Sequence, residues 1–153
     1  MMARAPFQVL VYPFRTNETG KREYCLFKRA DNGLWQGIAG GGEDAESPIE
    51  AAIRETWEEA GLPPSSRFIR LDSVESIPAH IFKERSNWGN DVYVIPQYTF
   101  GVQASPQINL SQEHLEYRWY MYEEAIMAMR YDGDRTALWE LEQRLSASID
   151  LYI

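Results

Sequence analysis

The chain has 153 residues, 44% of them hydrophobic and 13% aromatic, which is enough to bury a core as one domain and excludes intrinsic disorder and a disulfide-stapled mini-scaffold. Fifteen Lys and Arg against 23 Asp and Glu leave a net charge of −8, a field that repels nucleic-acid polymers and anionic membranes as partners. With one cysteine, Cys25, and two separated histidines, His80 and His114, neither an intrachain disulfide nor a zinc cage can form, so a metal must be held by carboxylates.

Met1 to Phe7 lacks the apolar stretch of a signal peptide, and no run approaches the ~20 apolar residues of a membrane span, so a cytoplasmic protein is expected. No repeat or linker divides residues 1–153, which read as a single domain. In chain order, runs rich in β-branched and aromatic residues predict strands at Phe7 to Phe14, Tyr24 to Arg29, Phe68 to Ile77, Asp91 to Val102 and Tyr117 to Tyr122. Ala39 to Glu43 reads as a glycine-rich loop, and Thr16 to Arg22 and Lys83 to Asn90 as surface loops. Helices are predicted at Ser47 to Ala60, Glu123 to Arg130 and Asp134 to Ala147, the last from the spacing of Leu138, Leu141 and Leu145. The fold class is therefore α/β or α+β, a sandwich around a mixed sheet.

The first helix carries the clearest boundaries. Ser47-Pro48-Ile49-Glu50 spells a capping box with proline at the first helical position, and Gly61, followed by Pro63-Pro64, ends the helix. Ile49, Ala52, Ile53, Thr56 and Ala60 share one face, with Glu55, Glu58 and Glu59 within a turn of one another on another. Local physics opposes that cluster: Glu58 and Glu59 sit at the negative end of the helix dipole, at a cost of ~0.3–1 kcal/mol each, and Glu55 repels both. Arg54 is the one nearby cation on the helix and cannot neutralise three carboxylates. A hard divalent ion with all-oxygen ligands would turn a repulsion of about 4 kcal/mol per pair into attraction, so a metal site is inferred here.

The glycine run leads directly into this helix. Gly40, five residues, Glu46, seven residues, then Arg54-Glu55-Thr56-Trp57-Glu58-Glu59-Ala60-Gly61-Leu62 resembles the Nudix box, G-x5-E-x7-R-E-U-x-E-E-x-G-U. Seven fixed Gly, Glu and Arg positions at ~7% usage each match by chance roughly once in a hundred million starts. Thr56 departs from the pattern, standing where a bulky aliphatic residue is preferred.

The resemblance implies an α/β/α sandwich and hydrolysis of a diphosphate linkage with Mg²⁺ or Mn²⁺. It implies Glu55, Glu58 and Glu59 as metal ligands, Arg54 as the residue orienting them, Glu46 as its partner, Gly40 as shaping the loop and, with Gly41, contacting substrate, and Gly61 as a structural residue of the box. Which glutamate takes the proton varies among members. Glu113, His114, Tyr117 and Trp119 also resemble the E-H-x-x-Y-x-W stretch of bacterial dihydroneopterin triphosphate pyrophosphatases, as does Arg29 followed by Leu34-Trp35-Gln36. This similarity implies Glu113 as a further metal ligand or base, and Arg29 and Trp35 as substrate contacts. Read from the residues alone, Trp35, Tyr117 and Trp119 are equally suited to a core and His114 to a structural role.

The expected activity is cleavage of a pteridine or purine triphosphate between its α and β phosphates, with dihydroneopterin triphosphate as first substrate and folate synthesis as the pathway. The alternatives are housecleaning of canonical or oxidised nucleoside triphosphates or dinucleoside polyphosphates, and a non-catalytic nucleotide-sensing domain. The leaving moiety is expected to be read by loops such as Lys83 to Asn90. An EF-hand-like calcium site is disfavoured, since no alternating Asp/Asn/Gly loop is present. The partner is thus a small di- or triphosphate; a homodimer is left open, with Trp88 and Trp139 as aromatics that suit an interface, a core or a substrate loop.

Overall fold

The computed structural model describes residues 3–105, 108–111 and 114–147. Its strands are β1 Arg4–Thr16, β2 Arg22–Arg29, β3 Trp35–Gln36, β4 Ile38–Glu43, β5 Phe68–Pro78, β6 Val94–Gln103 and β7 His114–Tyr120, and its helices α1 Pro48–Ala60, α2 Tyr122–Ala128 and α3 Asp132–Ser146. Two short 3-10 turns, Ala79–Ile81 and Lys83–Asn87, lie between β5 and β6.

The strands form one mixed sheet in the order β3-β2-β1-β6-β5, with β4 paired to β1 and β7 to β2. β1 is its axis. One edge of β1 runs parallel to β6 from Gln8 to Phe14, while the other pairs antiparallel with β4 over its first half and with β2 at its end.

Alternation along these strands sorts two cores. Val9 and Val11 of β1, Cys25 and Phe27 of β2 and Phe100 and Val102 of β6 meet Ala51, Ala52 and Ala60 of α1. Leu10, Tyr12 and Phe14, with Tyr24 and Leu26, face Ala125 of α2 and Ala137, Leu138 and Leu141 of α3. The sheet is covered on both faces, which is why β1 reads as an unbroken apolar run and why the architecture is the expected α/β/α sandwich. Gly101 of β6 is required by this packing, because a Cβ there would meet the Leu141 side chain.

The helix boundaries follow their signals. The Ser47 hydroxyl accepts from the Glu50 amide at 3.3 Å, Glu50 Oε1 accepts from the Ser47 amide at 2.9 Å, and Gly61 takes φ 70° while its N–H donates to Trp57 O. The expected strand from Asp91 starts only at Val94, and the one expected from Tyr117 to Tyr122 runs His114–Tyr120, because Tyr122 opens α2. The larger correction concerns Ala39 to Glu43: it is strand β4, not a loop, since pairing with β1 satisfies its backbone groups. Its glycines have no positive φ and serve close approach instead. Among the described residues no helix is long and apolar enough to cross a membrane.

Candidate active site

The C-terminal half of α1 faces the glycine strand. Gly40 lies on the α1 side of β4, where an added Cβ would fall on the Glu55 carboxylate; Gly42 is similarly closed by the Phe7 ring, and Gly41 by the Arg4 guanidinium. The three glycines let strand, helix and cation converge where side chains would hold them apart.

Arg54 locks this junction. Its Nε donates to Glu46 Oε2 at 2.8 Å and its Nη2 to Glu46 Oε1 at 3.1 Å, a two-point fork, while Nη2 also donates to the Gly41 carbonyl at 2.8 Å. Nη1 donates to Glu55 Oε1 at 2.9 Å and to Glu58 Oε2 at 3.2 Å. Glu46 Oε1 also accepts from the Glu43 amide at 2.9 Å, so the turn between β4 and α1 is tied to the helix. The hydrogen bonds from Arg54 hold the Glu46 carboxyl below the usual glutamate range, and those to Glu46 and Glu55 raise the guanidinium of Arg54 further above its ordinary value.

The three helix carboxylates do not share one face. A helix turns 100° per residue, so Glu58 and Glu59 diverge: the Glu58 side chain is 53% exposed, Glu55 13%, and Glu59 as a residue only 2%. Glu59 therefore lies on the inward side with buried Thr56.

A cleft of about 670 Å³ opens beside this junction. Of the residues singled out from the sequence, Arg29, Gly40, Gly41 and Glu55 line it. Arg54 and Glu46 stand behind it as the brace just described, and Gly61 caps α1. Trp35 points elsewhere: its ring meets Tyr120 edge-on at 5.7 Å and carries Arg118 above it, within the α3-side core, while its neighbours Leu34 and Gln36 line the cleft. Tyr117 packs on Phe27, and Trp119 lies under Arg15, both against the α1-side core. Glu113 and the side chain of His114 lie outside the described residues.

Loop 83–90 does not line the cleft; Ile81 and Phe82, just before it, do. Trp88 instead donates to the Arg4 carbonyl at 2.9 Å and stacks near Phe82, fastening this segment to β1, whereas Trp139 is exposed on α3. The structure adds cleft residues that no sequence signal flagged: Arg4, Gln8, Glu75, Gln97 and Asp134. Gln8, Glu75 and Gln97 show in the sequence only as polar residues inside strand-like runs; strand pairing brings them together with Arg4, and α3 brings Asp134.

The described NUDIX domain model matches residues 6–140 of this chain. The chain belongs to the Nudix family. A dihydroneopterin triphosphate diphosphatase of Haemophilus influenzae is 29% identical over 133 residues, covering 85% of this chain and 82% of that one. An asymmetrical bis(5'-nucleosyl)-tetraphosphatase of Sus scrofa is 30% identical over 125 residues, covering 78% and 79%. Among solved structures, one described as a Nudix hydrolase of Listeria monocytogenes is 41% identical with a TM-score of 0.82, covering 94% of this chain and 96% of that one. The chain is accordingly a Nudix hydrolase, an enzyme of phosphoanhydride bonds.

Nudix hydrolases use divalent metals, and the donors here suit one. Glu55, Glu58 and Glu59 offer hard carboxylate oxygens alone, and the bare backbone of Gly40 leaves beside Glu55 a cradle that a Cβ would fill. Among the described residues no three acidic, His or Cys side chains are gathered into a cage. Arg54 holds Glu55 and Glu58 through one nitrogen, and Glu59 turns inward.

Proposed function

We propose that this Nudix hydrolase cleaves a pteridine or purine triphosphate, dihydroneopterin triphosphate first, between its α and β phosphates to a monophosphate and pyrophosphate, with all of residues 1–153 acting as one cytoplasmic domain. The observation that carries this reading is the placement of Gly40 against Glu55 and of Gly41 against Arg4 at one end of the cleft, braced by Arg54 and Glu46. The likeness to the Haemophilus diphosphatase supports putting the pterin first among triphosphates.

In this reading Glu55, Glu58 and Glu59 hold Mg²⁺ or Mn²⁺, with Glu113 as a further ligand or base. The ion's contribution is to neutralise phosphate oxygens and acidify water. Arg54, itself off the cleft, orients Glu55 and Glu58 and takes up their repulsion when no ion is present. Arg4 and Arg29 at the cleft wall face the phosphate chain. Water adds its oxygen to phosphorus, the bridging P–O bond breaks, and a carboxylate of the box takes the proton that water loses.

The likeness to the Sus scrofa tetraphosphatase supports a second reading, hydrolysis of dinucleoside polyphosphates or of canonical or oxidised nucleoside triphosphates. Pyrophosphate and phosphate release with Mg²⁺ over dihydroneopterin triphosphate, the deoxynucleoside triphosphates, 8-oxo-dGTP and diadenosine tetraphosphate separates the two. A pterin preference of tenfold or more in kcat/KM is expected. A flat or nucleotide-centred profile transfers the enzyme to housecleaning, and no turnover of any member points to a nucleotide-sensing domain.

A further inference from the structure

One row of side chains crosses four strands on the α3 face of the sheet. Gly41 of β4 pairs with Gln8 of β1, Gln8 with Gln97 of β6, and Gln97 with Glu75 of β5. Three interstrand steps make the row about 14 Å long. All four residues line the cleft, so the row is its floor.

The hydrogen bonds along the row run one way. Arg4 Nη2 donates to Gln8 Oε1 at 2.9 Å, Gln8 Nε2 to Gln97 Oε1 at 2.7 Å, and Gln97 Nε2 to Glu75 Oε2 at 2.7 Å. A guanidinium can only donate and a carboxylate at the far end accepts, so both amides are held in a single orientation. The relay is anchored at the glycine end by Arg4, which packs against Gly41 and over Phe82.

At the other end the relay meets Asp134 in the first turn of α3. Asp134 is 6% exposed and lines the cleft beside Glu75 and Gln97. Gly133 brings α3 this close, because a Cβ there would strike the Glu75 side chain. Tyr12 donates its hydroxyl to the Asp134 carbonyl at 2.9 Å, fixing the backbone from below. The groups facing the Asp134 carboxyl are thus Glu75 from β5, Gln97 from β6 and Arg135 from α3. Ile77, two residues along β5 from Glu75, and Tyr131 at the start of α3 also line the cleft.

The two ends of the cleft differ. One has bare glycine backbone, Arg4, Phe82 and Glu55; the other has two acidic side chains, Glu75 and Asp134, with Ile77 and Tyr131 beside them. Two carboxyl groups side by side offer several acceptors, which complements the two neighbouring N–H groups of a lactam edge bearing an amino group. We propose that Asp134, together with Glu75, is the specificity-determining contact for the substrate's leaving moiety and selects a 2-amino-4-oxo-pyrimidine ring edge, the edge that a pterin and a guanine share. This rests on the triphosphate reading above, and it assigns the recognition to the α3 end of the sheet.

GTP and ITP differ only in the 2-amino group, which makes them the decisive pair. Binding of each would be measured by calorimetry in EDTA, where no turnover interferes, and hydrolysis of each with Mg²⁺, for the wild type, Asp134→Asn and Glu75→Gln. We expect the wild type to bind GTP at least tenfold more tightly than ITP, and both variants to bring that ratio within threefold, with the change in turnover residing in KM more than in kcat. Equal binding of GTP and ITP by the wild type, or an unchanged ratio in both variants with cooperative unfolding intact, overturns the assignment. A wild type that discriminates the two in EDTA but hydrolyses no triphosphate sustains this assignment and refutes the hydrolytic reading, so the two fail separately.

Discussion

Gly40 and Glu55 are apposed so closely that no side chain fits between them: a Cβ on Gly40 would occupy the space of the Glu55 carboxylate. The backbone of β4 thereby forms one wall of the pocket in which Glu55 sits, and Arg54 forms the other by donating to Glu55 Oε1 and to the Gly41 carbonyl. One glycine thus sets the position of a carboxylate fifteen residues away.

Gly40→Ala must push Glu55 off that wall or separate α1 from β4. A loss of kcat/KM of about 10- to 100-fold is expected, roughly 1.4–2.7 kcal/mol of transition-state stabilisation. Steady-state kinetics together with thermal unfolding checks this; activity within threefold of wild type would show that Glu55 does not need its present position.

Arg54→Lys keeps the charge but loses the fork that reaches Glu46, Gly41 and Glu55 at once. Activity should fall at least tenfold while the fold survives. Circular dichroism and kcat measured side by side make the comparison, and near-wild-type turnover would mean that charge alone suffices.

Glu59→Gln removes the charge of the most buried of the three helix carboxylates. If Glu59 holds the metal, kcat falls more than tenfold and the Mg²⁺ concentration for half-maximal rate rises. A change within threefold in both would remove Glu59 from the ligand set.

Glu46 and Asp134 respond to pH in opposite senses. The Glu46 carboxyl is depressed by Arg54, so its contribution to stability is full above the ordinary glutamate value of 4.5 and is lost as pH falls through its lower folded value. Burial first, and then Glu75, raises the Asp134 carboxyl to about 7 from 3.8. Its folded state binds the proton more tightly, so stability declines as pH rises from about 4 through 7 and levels off above. Denaturant melts of wild type, Glu46→Gln and Asp134→Asn between pH 3.5 and 8.5 should show the acid-side slope reduced in the first variant and the slope between about pH 4 and 7 reduced in the second. Parallel curves for all three proteins would refute both.

Much of this was legible in the chain itself, because the controlling interactions are local. Ser47, Glu50 and Gly61 set the limits of α1 through bonds that span three or four residues, and the spacing from Gly40 to Leu62 identified the box without any knowledge of its surroundings. The run of β-branched and aromatic residues from Phe7 to Phe14 likewise announced a strand, which the structure covers on both faces. What only the tertiary structure decided depends on pairing and on direction around a helix. Ala39 to Glu43 became a strand because β1 offered it partners, and Glu59 separated from Glu58 because consecutive helical residues point 100° apart. Gln8, Glu75, Gln97 and Asp134 are scattered over more than a hundred residues, and their row exists only through the register of three strands and the approach of α3 at Gly133. Local bonds can be read from neighbours in the sequence, whereas a register is settled by which faces of distant strands must be buried together.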